Sequence, residues 1–119
     1  MSKFYKKNES VLFDIFGADA SLEGIDELKA NSTDAAGEKH VPQITKNGQE
    51  VIVEVGSVAH PMLEEHYIQG VYIETKKGGQ LHRFQPGDEP KAVFTLAEDD
   101  ELIAAYEYCN LHGLWKAEN

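Results

Sequence analysis

The stretch QITKNGQEVIVEVG, residues 43–56, decides the fold class of this chain. Its two halves consist of residues that favour β-strands, and the dipeptide Asn47-Gly48 lies between them. Asn-Gly is the strongest short signal for a β-hairpin, because both residues tolerate a positive φ angle. We therefore expect an antiparallel hairpin here, with one strand on each side of the dipeptide.

The sequence that follows repeats this pattern of short strands and turns. The segments EHYIQGVYIET, LHRFQ and KAVFTL are rich in branched and aromatic residues, and the turn signals KKGGQ and PGDEP separate them. Turn signals at intervals of about 8 to 12 residues, with short strands between them, are typical of antiparallel sandwiches and barrels. The segment EDDELIAAYEYC also fits helical spacing, but its context favours a strand for its latter half. The sequence thus predicts an all-β fold.

Residues 1–36 are predicted to form a separate N-terminal extension. They hold one apolar cluster, which consists of Val11, Leu12, Phe13, Ile15 and Phe16. We expect a hairpin that packs on the larger body formed by residues 37–119. The segment ANSTDAAG, residues 30–37, is interpreted as the linker between them.

The composition narrows the possible partners and the compartment. The chain carries 11 Lys and Arg against 21 Asp and Glu, a net charge of −10, which disfavours long-range attraction to nucleic acid or to an anionic membrane. Its apolar runs are only a few residues long, so neither a membrane span nor a signal peptide is expected. These two expectations, together with the single cysteine, indicate that the protein is located in a reducing cytoplasm.

The single cysteine, Cys109, lies three residues before His112 in EYCNLHGLW. A thiolate and an imidazole at this spacing can bind one metal ion. With two histidines the site would resemble a blue-copper centre, with three a closed zinc site, and with four an iron site with one open position. The other histidines are His40, His60, His66 and His82, and spacing alone does not choose among these alternatives.

Four segments of the sequence resemble the superoxide reductases, the family of desulfoferrodoxin and neelaredoxin. The segments STDAAGEKHVP, VGSVAHPMLEEHYI, FQPGDEPKAVF and YEYCNLHGLWKAEN fall within residues 32–119, in the family's order. The resemblance implies an immunoglobulin-like antiparallel β-sandwich with one mononuclear non-haem iron per chain. The implied ligands are four equatorial histidines and an axial thiolate: His40, His60, His66, His112 and Cys109. His82 matches no ligand motif and is interpreted as a strand residue.

The activity that the resemblance implies is the one-electron reduction of superoxide to hydrogen peroxide, with uptake of two protons. Glu38 and Lys39 match the charged pair of the family's EKH motif. The resemblance implies that Lys39 attracts superoxide and that the Glu38 carboxylate takes the sixth iron position in the oxidised enzyme. The rival interpretation is a non-enzymatic β-sandwich module that binds structural zinc or copper.

Two-iron members of the family carry an N-terminal rubredoxin-like domain with four cysteines, whereas residues 1–36 contain none. This extension is therefore interpreted as a degenerate or replaced rubredoxin-like segment without metal ligands, and residues 37–119 as the iron-binding catalytic domain. An external electron donor is then required, and a rubredoxin is expected in that role. The family also implies a homo-oligomer, either a dimer or a tetramer.

Overall fold

The computed structural model of the chain describes residues 2–15, 24–58 and 60–119. Within these residues it contains ten strands and one helix, α1, at Gly37–His40. The strands are β1 Phe4–Lys7, β2 Ser10–Phe13, β3 Asp26–Leu28, β4 Pro42–Asn47, β5 Glu50–Val55, β6 Ile68–Thr75, β7 Gly78–Arg83, β8 Lys91–Thr95, β9 Leu102–Cys109 and β10 Gly113–Glu118. In this part of the chain no helix is long and apolar enough to cross a membrane.

Two antiparallel sheets form the body of the protein. One has the strand order β10-β9-β6-β7 and the other the order β4-β5-β8. In β5 the side chains of Val51, Val53 and Val55 are buried while Glu50 and Glu54 are exposed, because successive residues of a strand point to opposite faces. The buried cluster joins residues from both sheets, including Val51, Val53, Ile68, Val71, Ile73, Ala92, Phe94, Ala105 and Cys109. The predicted immunoglobulin-like β-sandwich is confirmed.

The predicted hairpin is present as β4 and β5, with its turn one residue later than expected. Asn47 pairs with Glu50, so the two loop residues are Gly48 and Gln49. Gly48 has the positive φ of 60°, and Asn47 ends β4 instead of sharing the turn. Glycine at the first central position is one of the two favoured arrangements for a two-residue hairpin loop.

The ambiguous segment before Cys109 is the strand β9, which pairs with β10 on one side and β6 on the other. Both of its faces are buried. Ala105 and Cys109 point into the sandwich, whereas Ala104 and Tyr106 lie beneath the N-terminal sheet. A strand buried on both faces loses the alternation of apolar and polar residues, which is why its pattern also fitted a helix.

The N-terminal segment forms a third sheet with the order β2-β1-β3. The predicted hairpin is therefore confirmed, and β3 is an additional strand. Phe4 of β1 packs on Tyr72 and Tyr106, with ring centroids 5.7 and 5.0 Å apart. Phe16, the last member of the predicted apolar cluster, lies outside the described residues.

Replacing Phe4 with alanine is expected to lower the free energy of unfolding by about 3 kcal/mol, because it removes a buried ring from this aromatic cluster. Urea titration followed by circular dichroism measures the loss. Leu12→Ala is the control, since Leu12 is 43% exposed, and it should cost less than about 1 kcal/mol. Equal losses in the two variants would contradict the packing of the N-terminal sheet on β6 and β9.

Candidate metal centre

The structure brings all five predicted ligands together. His40 ends helix α1, His60 and His66 lie between β5 and β6, Cys109 ends β9, and His112 lies in the turn before β10. One potential ligand atom from each residue is within 4.8 Å of those of the other four. His40, His60 and Cys109 are buried, and the other two are partly buried. The cluster therefore lies at one end of the sandwich, where strand ends and connecting segments meet.

The four imidazole rings form a square around one point. In the order His40, His60, His66, His112, the neighbouring ring centroids are 4.7, 4.8 and 5.0 Å apart, and 4.9 Å closes the square. Neighbouring rings are nearly perpendicular, with interplanar angles of 75, 81, 79 and 87°. The Cys109 sulfur approaches the square at 3.5 Å from Nε2 of His60 and 3.9 Å from Nδ1 of His112. Four imidazoles and one thiol thus offer five donor atoms within 4.8 Å of one another, which is close enough to bind one ion.

The outer nitrogens of two rings are fixed by the backbone. Nδ1 of His40 donates to the carbonyl oxygen of Ala36 at 2.7 Å, and Nδ1 of His60 donates to that of Pro61 at 2.6 Å. Each of these neutral rings then carries a lone pair on Nε2. The two Nε2 atoms are 3.1 Å apart, so two acceptors face each other, and a cation between them would stabilise this arrangement.

The donor spacing fits a single metal ion. Bonds from imidazole to a first-row metal are about 2.1 Å long, so adjacent donors at right angles lie about 3.0 Å apart. Nε2 of His40 is 3.1 Å from Nε2 of His60 and 3.2 Å from Nδ1 of His112. Nε2 of His66 is buried and has no hydrogen-bond partner among the described residues. Imidazole and thiolate donors suit iron, copper and zinc, so the residues fit a transition metal.

Burial sets the protonation of the donors. It lowers the pKa of His60 to about 4 and also lowers the pKa values of His40 and His66, so these rings are neutral at pH 7. Burial raises the pKa of the Cys109 thiol, and hydrogen bonds from the backbone N–H groups of Leu111 and His112 partly oppose this. Metal binding therefore releases the thiol proton.

Trp115 contacts the site as well as the core. It is buried, its ring stacks on His40 with centroids 5.0 Å apart, and its indole N–H donates to the His112 carbonyl oxygen at 3.1 Å. One side chain therefore contacts two of the four histidines. Metal ligands are commonly oriented by such outer contacts.

Glu38 and Lys39 precede His40 in α1 and are both exposed. The Glu38 carbonyl oxygen accepts a hydrogen bond from the Val58 N–H at 2.9 Å, which fastens α1 to the segment after β5. The positive charge of Lys39 contributes to the lowered pKa values of His40 and His66, so it influences the cluster electrostatically.

His82 is on the exposed strand β7, and the centroid of its ring is 4.8 Å from that of Phe84. It is not part of the cluster of five potential ligands.

Glu107 is a buried carboxylate that the sequence analysis did not single out. It lies two residues before Cys109 and is only 1% exposed, and burial raises its pKa well above the ordinary value. Neither carboxylate oxygen has a hydrogen-bond partner in the described ranges. A charged residue inside the apolar run LIAAYEYC is the signal that could have identified it.

A β-sandwich with four imidazoles and one thiolate around one point defines a mononuclear, non-haem metalloprotein. The family model described as desulfoferrodoxin matches residues 32–118. The chain belongs to the desulfoferrodoxin family, and the resemblance stated from the sequence is confirmed.

Individual relatives agree with this assignment. A desulfoferrodoxin homolog of Archaeoglobus fulgidus is 51% identical over 92 residues, which cover 76% of this chain and 70% of the relative. A superoxide reductase of Pyrococcus horikoshii is 36% identical over 104 residues, covering 73% and 90% of the two chains. The crystal structure of the superoxide reductase from Treponema pallidum superposes with a TM-score of 0.87 at 37% identity and covers 99% of both chains. The last match therefore includes the N-terminal sheet.

Gly56→Ala is expected to weaken metal binding, because Gly56 has a φ of +77° and an added Cβ would lie 2.7 Å from backbone atoms of Glu38 and Lys39. The substitution should displace α1 and His40, and reduce Co²⁺ affinity about 10-fold or more. Titration of the thiolate-to-cobalt absorption band measures this affinity.

Gly48→Ala is the matched control for that variant. Gly48 has a φ of +60° with nothing within 4 Å of the added Cβ, so it incurs only the backbone cost of about 1 to 2 kcal/mol. If both variants bound Co²⁺ equally well, the contact between Gly56 and α1 would not control the site.

Proposed function

We propose that this protein is a superoxide reductase, which reduces superoxide to hydrogen peroxide at one non-haem iron ion per chain. The observation that carries the proposal is the square of four imidazoles with a thiol on its axis. It occurs in a family whose Pyrococcus horikoshii and Treponema pallidum relatives are named superoxide reductases. The reaction consumes one electron and two protons for each superoxide.

The ligand assignment follows from this geometry. His40, His60, His66 and His112 would hold the iron through their imidazole nitrogens, and Cys109 would hold it through its sulfur. Iron held in this way supplies the one-electron redox chemistry.

Local charge supports capture of an anion by this acidic chain. The chain has a net charge of −10, but four neutral imidazoles and one thiolate around Fe²⁺ leave a charge of about +1 at the site. A unit charge pair 4 Å apart is worth about 4 kcal/mol at an effective dielectric constant near 20. Salt screens exposed charges beyond about 10 Å, so the nearby Lys39 and the site outweigh the distant carboxylates.

The residues around the centre would each have a distinct role. Lys39 attracts superoxide, and the exposed Glu38 carboxylate neutralises the extra charge of the oxidised centre. The N–H groups of Leu111 and His112 withdraw charge from the Cys109 sulfur and so tune how strongly it donates. The two protons would come from solvent, because His66 and His112 are only partly buried.

We assign the supply of the electron to an external donor, a rubredoxin. Residues 1–36 contain no cysteine and would act as a metal-free extension to the catalytic domain at residues 37–119. A reducing cytoplasm suits a centre whose thiol must stay reduced.

The exposed edge strands β7 and β8 offer surfaces through which a homodimer or tetramer could form.

Cys109→Ser is expected to abolish the thiolate-to-iron absorption band that gives the air-oxidised protein its blue colour, since serine has no sulfur donor. Visible spectra and metal analysis of both proteins measure this, with one iron per chain expected in the wild type. A blue serine variant would exclude Cys109 as the ligand. Tightly bound zinc without redox activity in the wild type would instead support a structural metal module.

Lys39→Ala is expected to slow the reaction with superoxide about 10-fold at low ionic strength and to flatten its salt dependence, with the iron content unchanged. Pulse radiolysis at several salt concentrations measures both effects. Lys46→Ala is the control, because Lys46 lies on β4 close to the hairpin turn at its far end and changes the net charge equally. Equal slowing in both variants would assign the effect to total charge instead of to Lys39.

A further inference from the structure

The segment between the N-terminal sheet and α1 is fastened to the strand that follows His112. The Asn31 N–H donates to the carbonyl oxygen of Leu114 at 2.9 Å. The Asn31 amide side chain also bonds both backbone groups of Lys116, at 2.8 and 3.2 Å. Asn31 has a φ of 59°, a conformation that asparagine adopts more readily than most residues. Three hydrogen bonds therefore hold this residue against β10.

Two residues further along, Thr33 reaches the metal centre. Its hydroxyl donates a hydrogen bond to the carbonyl oxygen of His112, which also accepts the Trp115 indole N–H. The Thr33 methyl group lies against Gly113, which has a φ of +84°. The peptide group between His112 and Gly113 is thus held by two donors and one packing contact.

We propose that residues 31–33 hold the Cys109–His112 turn in the geometry that binds the metal, with Thr33 as a positioning residue for His112. Because the inference names residues that orient this centre, it rests on the proposed function.

The His112 carbonyl is the point at which this positioning acts. Holding this carbonyl group in place also holds the backbone of His112. The backbone in turn directs the His112 imidazole toward the other three histidines and the His112 N–H toward the Cys109 sulfur. The turn contributes both the axial sulfur and one equatorial nitrogen, so a small rotation would misplace two of the five donors. Asn31 supplies the rigid support, since it anchors the same segment to the next strand.

A pair of variants separates the hydroxyl of Thr33 from its methyl group. Thr33→Val keeps the packing on Gly113 but removes the donor, and it is expected to weaken Co²⁺ binding about 10-fold and to shift the thiolate-to-cobalt band. Thr33→Ser keeps the donor and should restore both to within about 2-fold of the wild type. Wild-type affinity and spectrum in the valine variant would overturn the inference, and so would equal loss in the serine variant.

A second pair tests the anchor. Asn31→Gly retains the positive φ but removes the side-chain hydrogen bonds, so it should weaken Co²⁺ binding in the same direction. Asn8→Gly is the matched control, because Asn8 has a φ of 55° in the turn between β1 and β2. Equal affinities in these two variants would overturn the role of Asn31.

Hydrogen exchange of the metal-free protein distinguishes this inference from the proposed function. Thr33→Val is expected to speed exchange of the Leu111 and His112 amides about 5-fold, with the amides of β5 unchanged. Exchange at the wild-type rate in this variant would contradict the positioning role whatever the metal does. If the exchange changed as expected but iron-loaded wild type did not react with superoxide, the proposed function would fail while Thr33 kept its role in the turn.

Discussion

The metal centre depends on one electrostatic constraint, which is that the lone pairs of His40 and His60 face each other at 3.1 Å. The outer nitrogens of these rings donate to the carbonyl oxygens of Ala36 and Pro61, so neither neutral ring can donate a proton to the other without losing a partly buried hydrogen bond. A cation at their common point resolves this repulsion. The same point is shared by His66, His112 and Cys109, which explains why five chemically similar donors converge where a hydrophobic core would otherwise continue.

The β-sandwich provides these donors from elements that are fixed for independent reasons. Cys109 belongs to the buried cluster between the sheets and pairs with Ile68 across β6, so the position of the sulfur is set by the core. His40 is set by α1, which lies close to Gly56 and is bonded through Val58. The centre is consequently assembled from separate structural supports, and each limits the freedom of a different donor.

Much of this could be predicted from the sequence, because the decisive signals are local. The Asn47-Gly48 hairpin follows from backbone preferences, and the ligand set follows from short motifs that resemble a known family. The contacts of Asn31, Thr33 and Trp115 could not be predicted in the same way. Asn31 and Lys116 are 85 positions apart, and Thr33 and His112 are 79 positions apart. The segment that contains Asn31 and Thr33 has the small and polar residues that are typical of a linker. The sequence of β9 fitted both a helix and a strand, because the N-terminal sheet buries the second face of this strand. Sequence periodicity does not reveal such a tertiary contact.

The position of the core relative to the centre indicates what the metal contributes to folding. Small zinc domains unfold without their metal because they have little other buried surface. Here the valines of β5 and the isoleucines of β6 pack together in the sandwich, and among the described residues Cys109 alone belongs both to this cluster and to the metal centre. The packing of this core does not involve the ion, unlike that of a small zinc domain. Metal binding still has to displace the Cys109 proton and to relieve the repulsion between the facing lone pairs of His40 and His60.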